Sequence, residues 1–395
     1  MQKKLIALAV AGLASTAAFA QTNVTIYGLV DYGYTYRFDG KNAGSTIPGV
    51  NTGTPNSQSQ FNGGQSLGNR IGFKGTEDLG NGLKAVFLLE QGFMLDTGLQ
   101  QTSGSQFTRQ AYMGLSGNFG TVVGGRLYTP HYTFVSGLDP FGAGTVGRYN
   151  NVYSSQQIVS IANVGNLTDP VRVDNAIAYV SPSFLGGLTA TLAFSNNANL
   201  QEDSNSNSNN NTVYAGLLKY ENGPITAGVN YHYINAGSRA SEATLLAPGL
   251  KNVQNATIGG SYDFKVAKVM ALYSYNDVDF VNALAAGSDN KNATLNNYMI
   301  GVTAPFGKFT GKASYLYSDG NSAAGGDAQQ FAIGLDYSLS KRTVVYSAYS
   351  FINNDDQRLG AVGDASNSGA YSAGNGYTLP GVFQQGVQVG VRHSF

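Results

Sequence analysis

The chain has no cysteine, no tryptophan and only three histidines, and its charged residues make up 12%, about half the usual share. Each shortage excludes something. Without cysteine there is no disulfide scaffold and no thiolate metal site. Basic and acidic residues balance at 23 each, so no basic surplus exists for a polyanion, and nucleic acid is not the partner. His131, His232 and His393 lie far apart and lack the H-E-x-x-H spacing of a helical zinc site. Long apolar runs are missing too. The longest beyond the N-terminal segment, such as AVFLL at 85–89, fall far short of the ~20 residues of a spanning helix.

Two short motifs fail on context. GAGTVG at 142–147 matches the dinucleotide fingerprint, yet no strand precedes it and no helix pattern follows, so it reads as a flexible loop. The stretch from Asp203 begins like a calcium loop, but Ser208 and Tyr214 stand where Gly and Glu belong. No nucleophile elbow or acid pair marks a hydrolase. The sequence therefore reads as non-enzymatic, with no cofactor and no metal.

What is present is glycine (52 residues), tyrosine (25) and phenylalanine (20). The first twenty residues carry Lys3 and Lys4, a short apolar run and Ala18-Phe19-Ala20, the plan of a signal peptide cleaved after Ala20. Its removal leaves two more acidic than basic residues in 21–395. From there on, apolar and polar residues alternate with period two. Val24, Ile26, Val30, Tyr32, Tyr34 and Tyr36 share one parity, and Thr25, Asp31, Thr35 and Arg37 the other. Short connections at 79–82, 117–120, 181–187, 221–224, 263–266, 305–308 and 338–342 carry the Gly, Pro, Asn or Asp of tight turns. Longer polar stretches lie between them, near 39–65, 95–105, 129–170, 197–210, 236–251, 278–293, 320–326 and 354–383.

Seven short turns and eight long loops require sixteen strands. The fold class is therefore all-β: a sixteen-stranded antiparallel transmembrane barrel, with short periplasmic turns at one end and long extracellular loops at the other. The chain stops at Phe395 in mid-alternation, as expected of a strand that closes the barrel by pairing with the first. Sixteen strands of about 11 residues leave roughly 200 positions for connections. The stretch 129–170 is too long for a bare hairpin loop.

Several stretches resemble the Gram-negative general porins of the neisserial and burkholderial trimeric type. They are VTIYGLVDYGYTY, NRIGFKGTEDLGNGLKAVFLLEQGF, FTRQAYMGLSGNFGTVVGGRLYTPHY, SPSFLGGLTATLAFS, YSLSKRTVVYSAYSF and the terminal VGVRHSF. The resemblance implies a homotrimer in outer-membrane lipid and lipopolysaccharide, passively passing small hydrophilic solutes and ions. It implies that the barrel-assembly machinery recognises the terminal strand through Phe395. It also implies that 129–170 is the third loop, folded inward as the constriction.

If the apolar parity faces out, Asp31, Arg37, Arg70, Lys74, Lys84, Glu90, Arg126, Arg172, Asp174, Lys312, Arg342 and Arg392 point inward. Arg109 shares parity with Ala111 and Met113 and should point out. By resemblance Arg37, Arg70 and Arg126 form a basic wall, with Asp139 and its loop opposite, and such an eyelet prefers anions. Two other readings remain open at this stage. One is a substrate-selective porin. The other is a surface-interaction protein, an adhesin or phage receptor, acting through loops 39–65 and 354–383.

Overall fold

The computed structural model describes residues 23–39, 57–102, 104–153, 170–196, 198, 211–235, 250–280, 292–355, 358, 360–363 and 381–395. The signal segment, the stretch from Asp203, and much of the long loops, including part of 129–170, lie outside them. The strands are β1 (Asn23–Asp39), β2 (Ser57–Gly63), β3 (Arg70–Gly80), β4 (Leu83–Gly92), β5 (Gln110–Gly117), β6 (Gly120–Tyr128), β7 (Arg172–Val180), β8 (Leu188–Asn196) and β9 (Thr212–Asn222). They continue as β10 (Ile225–Asn235), β11 (Leu250–Asp263), β12 (Lys268–Phe280), β13 (Asn292–Phe306), β14 (Phe309–Gly320), β15 (Ala328–Ser338), β16 (Thr343–Asn354) and β17 (Gln384–Ser394). Two helices, α1 (Pro130–Leu138) and α2 (Asn150–Tyr153), belong to the third loop.

Seventeen segments make sixteen staves, because β2 and β3 both lie along β1. β3 pairs with its first half (Leu29↔Arg70) and β2 with its second (Tyr34↔Phe61). The sequence reading took 57–63 as loop. Its alternation is too short and too polar (SQSQFNG) to stand out, and the long neighbour β1 supplies the ladder. Residues 64–69 between the two halves leave the sheet and turn inward.

All seven short connections are hairpin turns between antiparallel neighbours. The β3–β4 turn shows why Gly and Asn sit there: Gly80, Asn81 and Gly82 all adopt positive φ, the region such turns demand. Closure is complete. β1 pairs with β17 from Leu29↔Ser394 to Asp39↔Gln384. Gly28 and Phe395 then exchange two backbone hydrogen bonds, of 3.0 and 3.1 Å. The Phe395 ring lies across Gly28, where a Cβ would stand 2.3 Å from its Cζ. Among the described strands no sheet edge is left open.

The apolar parity faces outward, with Ile26, Met113, Ile177, Leu192, Ile258 and Ile300 all exposed. The inward parity is not uniformly polar, which departs from the expectation of a water-facing lining. Near the ends of β9–β13 it carries Val213, Ile234, Leu250, Val253, Val278 and Leu295, all buried. A second apolar set lies where the third loop packs on the wall.

That loop enters through Thr129, which N-caps α1. Its Oγ1 accepts from the Tyr132 amide (3.1 Å) and donates to the Pro170 carbonyl (2.8 Å), and Pro130 occupies the first helical turn, where its missing N–H costs nothing. The loop then follows the inner wall through a series of glycine sockets. Phe134 lies on Gly228 of β10, Leu138 on Gly259 of β11, Pro140 on Gly301 of β13 and Phe141 on Gly334 of β15. A Cβ at any of these glycines would stand 2.4 to 2.8 Å from a loop side-chain atom. Only the bare backbone leaves room.

Candidate functional site

Opposite the docked loop, strands β3–β7 gather a charged cluster. Glu90 of β4 is its centre. Glu90 Oε1 accepts from Arg109 Nε at 2.7 Å, and Arg70 Nη1 lies 4.0 Å from Oε2. Tyr27 OH also donates to Oε2, at 2.8 Å. Arg109 Nη2 and Arg172 Nη2 both donate to Tyr128 OH, at 2.7 and 2.8 Å. The Arg172 guanidinium rests over the Tyr128 ring, 4.6 Å from its centroid, and Tyr132 of α1 stacks on that ring at 5.1 Å. A chain of contacts thus joins the basic wall to the constriction loop.

Arg126 occupies a bulge between Gly125 and Leu127. It donates through Nε to the Thr108 carbonyl (2.9 Å) and pairs through Nη1 with Asp174 at 2.5 Å. Lys74 sits over the Tyr27 ring at 5.4 Å. A second cluster lies on β14, β15 and β17, where Asp336 Oδ2 meets Lys312 Nζ (3.0 Å) and Arg392 Nη2 (2.8 Å). Arg392 Nη1 also donates to Ser66 Oγ, at 2.7 Å.

Several placements differ from expectation. Arg109 points inward against its parity because it precedes β5, outside the ladder that enforces alternation. Arg37 faces inward but lies eight residues beyond Leu29, the register partner of Arg70. At 3.3 Å per residue that is ~26 Å along the strand, so Arg37, which donates to Gln58 Oε1 (3.2 Å), does not join the Arg70 cluster. Asp31 and Asp139 are both buried, and neither presents its carboxylate to the lumen. Asp31 accepts from Tyr346 OH (2.6 Å) and from the amides of Ser66 (2.8 Å) and Leu67 (2.7 Å), which fixes the inward turn at 64–69.

Asp139 organises the loop itself, accepting from the amides of Phe141 (3.0 Å), Ala143 (2.9 Å) and Tyr149 (3.1 Å). Burial pushes this carboxyl up to about 6, against the pull of those amides and of Lys312. The GAGTVG stretch is not flexible but wedged. Thr145 N donates to Gln65 O (2.9 Å), and a Cβ on Gly144 would stand 1.7 Å from the Ser66 carbonyl. Sequence reasoning passed over Asp336, whose inward parity on β15 could have revealed it. Histidines 131 and 232, remote in sequence, are in contact, which no spacing rule could find.

The lumen thus carries a cationic cluster on β3–β7, a smaller one around Asp336 on β14, β15 and β17, and the loop docked on β10–β15. Comparison with known proteins agrees with this architecture. Residues 7–357 match the family model described as Gram-negative porin. The chain is 33% identical to outer membrane porin protein 32 of Delftia acidovorans over the whole of both chains. It is 30% identical to an outer membrane porin protein of Bordetella pertussis, over 92% of this chain and 98% of that one. Among solved structures, the anion-selective porin from Comamonas acidovorans superposes with a TM-score of 0.73 at 28% identity, covering 95% of this chain and all of the other.

Proposed function

This chain belongs to the Gram-negative porin family and is an outer-membrane channel protein, and we propose that its channel passes small hydrophilic solutes with a preference for anions. The observation that carries the preference is the imbalance at the charged clusters. Glu90 answers to both Arg70 and Arg109, and Asp336 to both Lys312 and Arg392. Arg172 and Lys74 rest on tyrosine rings rather than on carboxylates. Among the described residues these clusters therefore keep positive charge after their close pairs are counted, and fixed charge of one sign selects counter-ions. Asp31 and Asp139 turn their carboxylates to backbone amides and to the Tyr346 hydroxyl rather than to the solute path.

Arg70, Arg126 and Arg172 form the selective wall in this reading, with Lys74 and Lys312 adding to it and Asp174 moderating it. Arg37 acts further along β1. Export follows cleavage after Ala20, and the chain assembles as a homotrimer in lipid and lipopolysaccharide. The barrel-assembly machinery would read the terminal strand through Phe395, whose ring is half exposed on the outer face.

Reversal potential across a planar bilayer under a salt gradient tests the selectivity. Anion preference that weakens in Arg70→Ala and Arg126→Ala supports the reading. Cation preference in the unaltered protein would overturn it.

A further inference from the structure

Behind the constriction loop, away from the charged wall, the two buried histidines meet. His131 of α1 and His232 of β10 lie edge to face, 4.9 Å apart at 87°. His131 Nδ1 is 3.1 Å from Asn230 Oδ1, and Asn230 Nδ2 donates to the Gly216 carbonyl at 2.9 Å. The amide orientation makes Oδ1 the acceptor, so Nδ1 of His131 carries the proton. Its Nε2 then faces the hydroxyl of Tyr153, the last residue of α2, at 3.5 Å. That hydroxyl lies 3.2 Å from Thr257 Oγ1 on β11. One contact thus ties both helices of the loop to the barrel wall.

His232 is buried beneath this contact, and among the described residues its Nε2 has no hydrogen-bond partner. Its register neighbours are Ala215 on β9 and Asn255 on β11. Asn255, Thr257, Ser274 and Asn276 continue a neutral hydrogen-bonded network across β11 and β12. Tyr153 of α2 packs on His131, and Tyr149, just before that helix, packs edge-on against Tyr153. Among the described residues, the titratable group packed against His232 is His131.

We infer that the His131–His232 contact is one of the anchors of the constriction loop, and that it holds only while both imidazoles are neutral. A proton on His232 would place a charge in a buried site, against an imidazole and, among the described residues, without a carboxylate. The outlet is release of α1 from β10 and β11. Because the loop lies between that wall and the open lumen, release moves it into the lumen, and conductance falls on acidification. His131 and His232 are positioning residues here, since they do not line the path of the solute.

Asp139, the loop's own carboxyl, works in the opposite sense. Its value is raised to about 6 by burial, so its contribution to the docked state is full at low pH and is lost as pH rises through about 6. Acid-induced loosening cannot come from Asp139.

Single-channel conductance of the reconstituted full protein, recorded between about pH 7.5 and 4.5, tests this. The unaltered channel is expected to show one reversible fall in conductance, accompanied by added current noise. His232→Gln and His131→Gln, which place a neutral amide at each position, should lose that pH-dependent step, and His393→Gln, at the exposed rim, should keep it. A step that survives both substitutions, or no step in the unaltered channel, overturns the proposal. Should either variant fail to assemble, the imidazole resonances of the unaltered protein in micelles decide. Titration of the two buried rings together with the conductance step supports the anchor, and a step without their titration overturns it. Reversal potential from the same recordings reports on the arginine wall separately.

Discussion

The two halves of the inner wall use the same strand geometry for different ends. Along β3–β7 the inward side chains are long and charged, and they reach one another through ion pairs and tyrosine hydroxyls. Along β10–β17 the inward positions that meet the loop are glycines, small apolar residues and neutral amides. The first half makes its own network and leaves room in front of it. The second half makes sockets and is filled by the loop. A barrel of this width holds an eyelet because one wall is built to be covered and the other to stay open.

The comparison breaks most severely at Arg109. Its side chain is 6% exposed and that of Glu90 4%, and removing one partner strands a buried charge. Arg109→Ala should destabilise the barrel by about 3 kcal/mol, at the low end of such losses because Arg70 and Tyr27 remain on Glu90. The unfolding midpoint in urea with lipid present measures it. Arg109→Lys should lose less, keeping the charge but not the fork to Tyr128.

A smaller effect is expected on the socket side. Gly301→Val places a side chain where Pro140 Cγ would lie 2.4 Å from the new Cβ. Overpacking of this kind costs about 1–3 kcal/mol, borne here by loop docking rather than by the barrel. Altered and noisy conductance should therefore accompany unchanged heat-resistant migration of the folded barrel. Gly124→Val is the packing control, since Gly124 shares the outer face with its register partners Met113 and Ile177 and, among the described residues, only the Ala176 carbonyl lies near its Cβ site, at 3.7 Å. Equal effects at both glycines would show that the change at Gly301 does not come from the docked loop.

How far the sequence discloses this difference depends on what alternation encodes. Period two states which face a side chain takes, so Asp31, Arg70, Glu90, Lys312 and Arg392 are legible as inward residues from their parity alone. It does not state what lies in front of them. Asp31 and Asp139 look like free lumen carboxylates until the backbone amides that cap them are known. Glycine in a strand looks neutral until a loop residue is found on it. Arg109 and Arg126 escape the rule for a local reason, one lying before its ladder begins and the other in a bulge. The His131–His232 contact depends on where a long loop lands, a non-local fact that no window of sequence contains.

The gentlest perturbation sharpens the comparison most, because it changes charge without disturbing packing. Arg126 and Asp174 are each 31% exposed, and a pair so open to water contributes only about 0–1 kcal/mol to stability. Asp174→Asn should therefore leave the unfolding midpoint almost unmoved while freeing the Arg126 charge, so that the reversal potential shifts further toward anions. Arg126→Gln leaves Asp174 without that partner and should shift it the other way. Both shifts should shrink as salt is raised, since screening over ~10 Å at 0.1 M weakens the field of an exposed charge before that of a buried one. If instead both variants leave selectivity unchanged at low salt, the pair lies off the ion path. The selective wall would then reduce to the cluster around Glu90 and to Arg172.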